Sequence, residues 1–153
     1  MVKTKSRIRL CIALLAANLA FIWGNSLMTA DVSRALSTFV QQILAWIFPV
    51  TDAGDSGEGH HLLRKLAHFT EFACLGMLLS WLTRMLRTTQ WEHYVFPMLT
   101  GALVACVDEI IQIFVPGRGP GILDVGIDTL GVTLGIVLIT VYVSMKNKFW
   151  RKL

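Results

Sequence analysis

Residues 123–145, LDVGIDTLGVTLGIVLITVYVSM, hold two charges near their start, Asp124 and Asp128, and are mainly apolar after that. A helix needs about 20 mainly apolar residues to cross a hydrocarbon core, and this run supplies them. Roughly residues 8–28, 62–86 and 94–115 do the same. Backbone in lipid must satisfy its own hydrogen bonds. Four such runs in 153 residues therefore predict an all-α membrane protein of four transmembrane helices, one domain in length. Composition agrees: 54% of residues are hydrophobic and 16% charged, below the charge a water-soluble surface carries. The net charge of +4 does not point to nucleic acid, because the basic residues form short clusters beside apolar runs. No nucleic-acid partner is expected.

The first run follows Lys3, Lys5, Arg7 and Arg9 as a signal peptide would. Its apolar part is long, and bulky Met28 spoils the small-x-small pattern of a cleavage site, so an uncleaved span is expected. Cys11, Cys74 and Cys106 lie in apolar segments without C-x-x-C spacing and are expected to be reduced and buried.

Orientation follows from the basic residues. Lys3, Lys5, Arg7 and Arg9, then Arg84 and Arg87 in the loop between the second and third spans, then Lys146, Lys148, Arg151 and Lys152 share one side if the chain crosses four times. That side is expected to be the cytoplasm, with both termini inside and the bacterial plasma membrane as the host. The other side receives Asp31, Arg34, Asp52, Asp55 and Glu58. Between the first two runs, DVSRALSTFVQQILAWIF puts Val32, Leu36, Phe39, Val40, Ile43, Leu44 and Ile47 on one helical face. The expectation is an amphipathic helix over about residues 31–48 on the outer side. It either lies in the interface with Trp46 at headgroup depth or packs on the spans. Pro49 ends it, and TDAGDSGEG reads as an acidic loop.

The polar residues inside the spans collect near the outer side. Arg64, His68 and Glu71 fall within one helical arc, with Lys65 beside it. In VACVDEIIQIFVPGR, residues 104–118, Asp108 and Gln112 are one turn apart on a face shared with Gly101, and Glu109 adjoins them. Asp124 and Asp128 share a face with Gly131 and Gly135. An ionisable side chain facing lipid is costly, and glycines let helices approach closely. These stripes are therefore expected to converge on a charged outward-facing pocket. Pro116 and Gly117 are expected to stop the third span and aim Arg118 back over that pocket. Asn18, Asn25 and Ser26 in the first span read as helix–helix hydrogen bonders, and Gly76 as a packing contact.

RKLAHFTEF, DEIIQIFVPGR and DVGIDTLGVTLG, in that order over residues 64–135, resemble the signature blocks of the VanZ-like membrane proteins. Position by position, the resemblance carries over Arg64, Lys65, His68, Glu71, Asp108, Glu109, Gln112, Pro116, Gly117, Arg118 and Asp124. Where relatives often have Asn, this chain has Asp128. The family takes its name from a protein implicated in low-level resistance to teicoplanin, a glycopeptide antibiotic with a lipid tail. The resemblance thus implies a membrane and cell-envelope role.

Four functional readings stand side by side. In the first, Arg64, Lys65 and Arg118 hold the phosphate, pyrophosphate or carboxylate of an envelope lipid, cell-wall precursor or lipoglycopeptide. Arg64, Lys65, His68, Glu71, Asp108, Glu109, Gln112, Arg118, Asp124 and Asp128 are then the ligand-binding candidates. In the second, the protein is an enzyme acting on an outer-leaflet substrate. His68, Glu71, Asp108 and Glu109 are its acid–base candidates, and no G-x-S-x-G nucleophile accompanies them. The third, a divalent metal held by His68 and the carboxyls, ranks last: H-E-x-x-H is lacking and three cations compete for the acids. No metal or other cofactor is expected. The fourth is structural, with polar side chains joining helices. The sequence leaves the oligomeric state open.

Overall fold

The computed structural model describes residues 2–47, 57–86, 89–119 and 121–150. Five helices account for nearly all of them: α1 (Val2–Ser26), α2 (Ala30–Ile47), α3 (Gly57–Met85), α4 (Glu92–Ile113) and α5 (Ile122–Trp150). No strand occurs among the described residues. Four segments are long and apolar enough to cross a membrane: Thr4–Ser26, Leu62–Met85, Glu92–Ile113 and Ile122–Phe149. The chain is an all-α membrane protein with one further helix, α2.

Several helices outrun the apolar windows that predict them. α1 begins among the N-terminal basic residues and α5 continues past Lys146 and Lys148. The backbone ladder that holds a helix is indifferent to side-chain polarity, so lipid sets where the apolar residues end and not where the helix ends. For the same reason residues 57–59, read from sequence as the end of the acidic loop, belong to α3. Pro49, the rest of that loop, Arg87, Arg151 and Lys152 lie outside the described residues. α4 stops earlier than its window, at Ile113, where the Phe114 N–H turns back to the Ile111 carbonyl and the Val115 N–H to that of Gln112.

α3 is the central helix and touches all the others, most extensively α5. Lipid removes the hydrophobic drive for helices to associate, so close packing has to supply the contact. Glycine makes it possible here. Gly131 and Gly135 of α5 press on the α3 backbone at Phe69 and Ala73, and Gly76 of α3 presses on the backbone of Val132. A Cβ at any of the three would collide with main chain, which cannot move aside. Gly101 gives α4 a similar approach, to the side chain of Val132. Ile22, Phe72, Leu75, Ala105 and Val132 fill the centre. Leu10, Leu14, Phe21, Leu99, Leu103, Val137 and Val141 point outward, where lipid tails are their solvent.

α2 touches α3 yet turns much of its apolar face away from the bundle. Its apolar residues Val32, Leu36, Phe39 and Ile43 are all exposed, Phe39 by 58%, while Ser37 is buried against the bundle. An apolar stripe left uncovered by protein suits a helix lying at a membrane surface. Ala30 N–H, at the start of α2, donates to Pro116 O at 3.4 Å, tying α2 to the α4–α5 connection.

Two expectations are corrected. Arg84, counted as a loop charge, lies on the last turn of α3 and turns into the bundle. It donates to Ser80 O at 3.0 Å, to Ser80 Oγ and to Thr140 Oγ1 at 2.8 Å, and sits 5.8 Å from the Tyr94 ring centre. The serine, threonine and aromatic face offer a partly buried guanidinium more than solvent does. All three cysteines are free, as expected, but only Cys11 is buried, and Cys106 faces outward. Its α4 position is a quarter-turn or more from the Gly101–Asp108–Gln112 face, so an apolar thiol there meets lipid and not the core.

Candidate functional site

The C-terminal ends of α1 and α4 and the N-terminal halves of α3 and α5 meet at one end of the bundle. Each predicted site residue is found there. The bonds that cross between helices show how the cluster is assembled. Gln112 Nε2 of α4 donates to Asp108 Oδ2 at 2.9 Å and reaches Ser26 Oγ of α1 at 3.4 Å. Asn25 Nδ2 of α1 donates to Glu71 Oε1 of α3 at 2.7 Å. Lys65 Nζ of α3 is 2.9 Å from Asp124 Oδ1 of α5, an ion pair whose angle falls short of a hydrogen bond. Glu109 Oε2 accepts the Gly121 N–H at 2.8 Å, linking α4 to the start of α5.

The i, i+4 and i, i+7 spacings do what they predict. His68 and Glu71 are buried on α3, and Asp108, Glu109 and Gln112 on α4. On α5 the pair divides. Asp128 is 2% exposed, while Asp124, one turn nearer the helix start, is half-buried with Lys65. Asp108 is wholly buried. Its Oδ1 and the Oε2 of Glu71 have no hydrogen-bond partner. His68 Nδ1 lies 3.7 Å from Asp108 Oδ2, too far for a hydrogen bond but near enough for charge to be felt.

Arg118 closes the site from above. Gly117 has φ +76°, a left-handed conformation that glycine adopts at little cost. The chain turns there, and Arg118 Nη2 donates to Asn25 O at 2.8 Å. Nε and Nη1 are buried without partners. Burial lowers the guanidinium's pKa and nearby Arg64 lowers it further, yet arginine stays charged at neutral pH. A half-buried cation with two buried, unused donors is an uncommon arrangement.

Two cavities open from this cluster. The smaller, about 20 Å³, is lined by Arg64, Lys65, His68, Glu109, Gln112 and Asp128 among others. The larger, about 460 Å³, is a groove between α1, α2 and α3. Phe21, Met28, Leu36, Val40, Leu63 and Leu66 make its walls, and Arg64, His68, Glu71 and Arg118 make its polar end. His68 and Arg64 line both cavities.

The sequence reading assembled the site from three helices. The structure adds α1 as a fourth wall, through Asn25 and Ser26, and Asn18 Nδ2 donates to Glu71 O at 3.4 Å. The signal was present: Cys11, Leu15, Asn18, Ile22 and Asn25 recur every three or four residues, and the apolar members of that stripe are buried.

A family model described as VanZ/LLP1 matches residues 11–143, from α1 to the last turns of α5. No curated protein matches significantly, and neither does any solved structure.

Proposed function

We propose that this chain, which belongs to the VanZ/LLP1 family of membrane proteins, binds an anionic amphiphile from the outer leaflet of the bacterial plasma membrane. The tail lies in the groove between α1, α2 and α3, and the phosphate, pyrophosphate or carboxylate meets Arg118 and Arg64. An envelope lipid, a lipid-linked cell-wall precursor and a lipoglycopeptide share this chemistry. Binding of the last would contribute to glycopeptide tolerance. Both termini lie in the cytoplasm in this reading, because Lys5, Arg7, Arg9, Lys146 and Lys148 all sit at the end of the bundle opposite the site.

One observation carries the proposal. The groove, within the size range of small-molecule sites, is apolar along its walls and ends on a half-buried guanidinium with two buried, unpartnered donors. Its shape matches one tail and one anionic head. α2 covers the groove with Ser33, Leu36, Ser37 and Val40 while turning other apolar side chains outward, as suits a helix that lets a lipid enter from the side. Native mass spectrometry of the full chain released from gentle detergent tests it, with wild type beside Arg118→Ala. Retention of an anionic lipid by wild type and its loss in the variant is the expected result. Wild type carrying no lipid, or both proteins carrying the same lipids, would contradict the proposal.

The second reading is acid–base catalysis on the same amphiphile by His68, which lines both cavities and lies 3.7 Å from Asp108. Cys106, facing outward, supplies no nucleophile. Water would have to attack. His68→Gln separates the readings: it keeps the bound lipid in both, and only a catalyst would then accumulate substrate in place of product.

A further inference from the structure

The smaller cavity raises a separate question. One donor atom from each of His68, Asp108 and Asp128 lies within 4.8 Å of the other two. The three come from α3, α4 and α5, whose glycine contacts fix their spacing. Asp108 is wholly buried and Asp128 is 2% exposed. The three cations of the site leave these acids unpaired. Lys65 pairs with Asp124 and Arg118 bonds Asn25 O. Among the described residues, neither Arg64 nor any other arginine or lysine forms an ion pair with Asp108 or Asp128.

We infer that His68, Asp108 and Asp128 form a binding site for a single divalent transition-metal cation. Two carboxyls at membrane depth without an ion-pair partner cost several kcal/mol each by desolvation when charged, and a divalent cation neutralises both. One imidazole nitrogen with two carboxylate oxygens suits Mn²⁺ or Zn²⁺ better than the all-oxygen preferences of Ca²⁺ and Mg²⁺. Donors on such a cation sit about 2.1 Å from it, so modest side-chain rotation closes the trio. The cavity of about 20 Å³ beside His68 and Asp128 has room for one ion or water.

The surrounding bonds have the form of a metal site's outer layer. Gln112 Nε2 holds Asp108 Oδ2 at 2.9 Å and is backed by Ser26 Oγ, while Asp108 Oδ1 remains without a partner. A carboxylate fixed on one oxygen and free on the other is oriented before the ion arrives. The sequence reading ranked a metal last because the cations seemed set to consume the acids. Lys65 is taken by Asp124, and among the described residues neither Arg64 nor Arg118 forms an ion pair with Asp108 or Asp128, which answers that objection. The cation site concerns different atoms from those that meet the amphiphile, and it stands or falls without the lipid reading.

The test uses the full chain in detergent, stripped with EDTA and titrated with MnCl₂ under electron paramagnetic resonance. Wild type is expected to bind one equivalent of Mn²⁺, with spin-echo modulation from a coordinated imidazole nitrogen. Asp108→Asn and Asp128→Asn should each weaken binding by about tenfold or more, and His68→Gln should remove the nitrogen modulation. Wild type that binds no stoichiometric Mn²⁺, or binds it through oxygen alone, overturns the inference. So does Asp128→Asn binding as tightly as wild type. The nitrogen modulation is read on wild type, so it decides the matter even if a variant fails to fold.

Discussion

The two ends of the bundle treat arginine in opposite ways. Arg84 spends its donors on Ser80 and Thr140 and lies over Tyr94. These partners are all neutral. Arg118 also bonds a neutral oxygen, Asn25 O, but keeps Nε and Nη1 buried and unused, in a site where Glu71 Oε2 and Asp108 Oδ1 are unused too. A charge kept for helix–helix adhesion closes on its surroundings. Groups that remain open together, at a junction of four helices and beside an apolar groove, are arranged for something that the helices themselves do not provide.

The largest effect is expected where both ends depend on the same contact. Gly135→Val would drive a side chain into the α3 backbone at Ala73 and Met77. A loss of about 3 kcal/mol, the upper part of the usual overpacking range, should follow. Size-exclusion profiles and thermal unfolding in detergent would register it as aggregation or a large drop in Tm. A variant that folds and melts like wild type would mean that the seam is looser than the close approach of α3 and α5 requires.

Next is the contrast itself. Arg118→Ala should lower retention of an anionic lipid by about tenfold or more, the effect of losing charge-assisted hydrogen bonds, with little change in Tm. Arg84→Ala should do the reverse, costing about 1–2 kcal/mol of stability through its hydrogen bonds and leaving lipid retention as it was. If the two variants exchange these behaviours, the assignment of one end to adhesion and the other to binding is inverted.

The smallest effect should come from Asn25→Ala. It removes the donor to Glu71 Oε1 and keeps the backbone carbonyl that Arg118 uses. About 1 kcal/mol of stability is at stake, seen as a small shift in Tm, with Arg118 still in place and lipid still bound. A complete loss of binding would make Asn25 a contact of the ligand and not a support for Glu71.

Much of this arrangement is legible in the chain. Apolar runs of spanning length locate the four crossings, because lipid accepts little else. The one-turn spacing of Arg64 with His68, Asp108 with Gln112 and Asp124 with Asp128 places the acids on inward faces, because the alternative is lipid. Gly117 before Arg118 foretells the turn that brings the guanidinium back. Other features depend on neighbours that a pattern does not contain. Arg84 looks like a loop charge until Thr140, 56 positions later, is brought beside it. The apolar face of α2 is equally suited to lipid and to the bundle, and that Ser37 is the buried side while Val32 and Phe39 stay exposed is nowhere in the pattern. Whether Lys65 or Arg118 neutralises Asp108 is likewise a matter of angles and distances between helices. The spacing of residues along one helix is silent about it.

The most direct measurement is a competition in lipid nanodiscs between an anionic and a zwitterionic phospholipid carrying identical chains, read as bound fraction for wild type, Arg118→Ala and Arg84→Ala. Wild type and Arg84→Ala should select the anionic lipid, and Arg118→Ala should take both alike. Equal binding of the two lipids by wild type, or undiminished selection in Arg118→Ala, would contradict a groove that recognises an anionic head through Arg118.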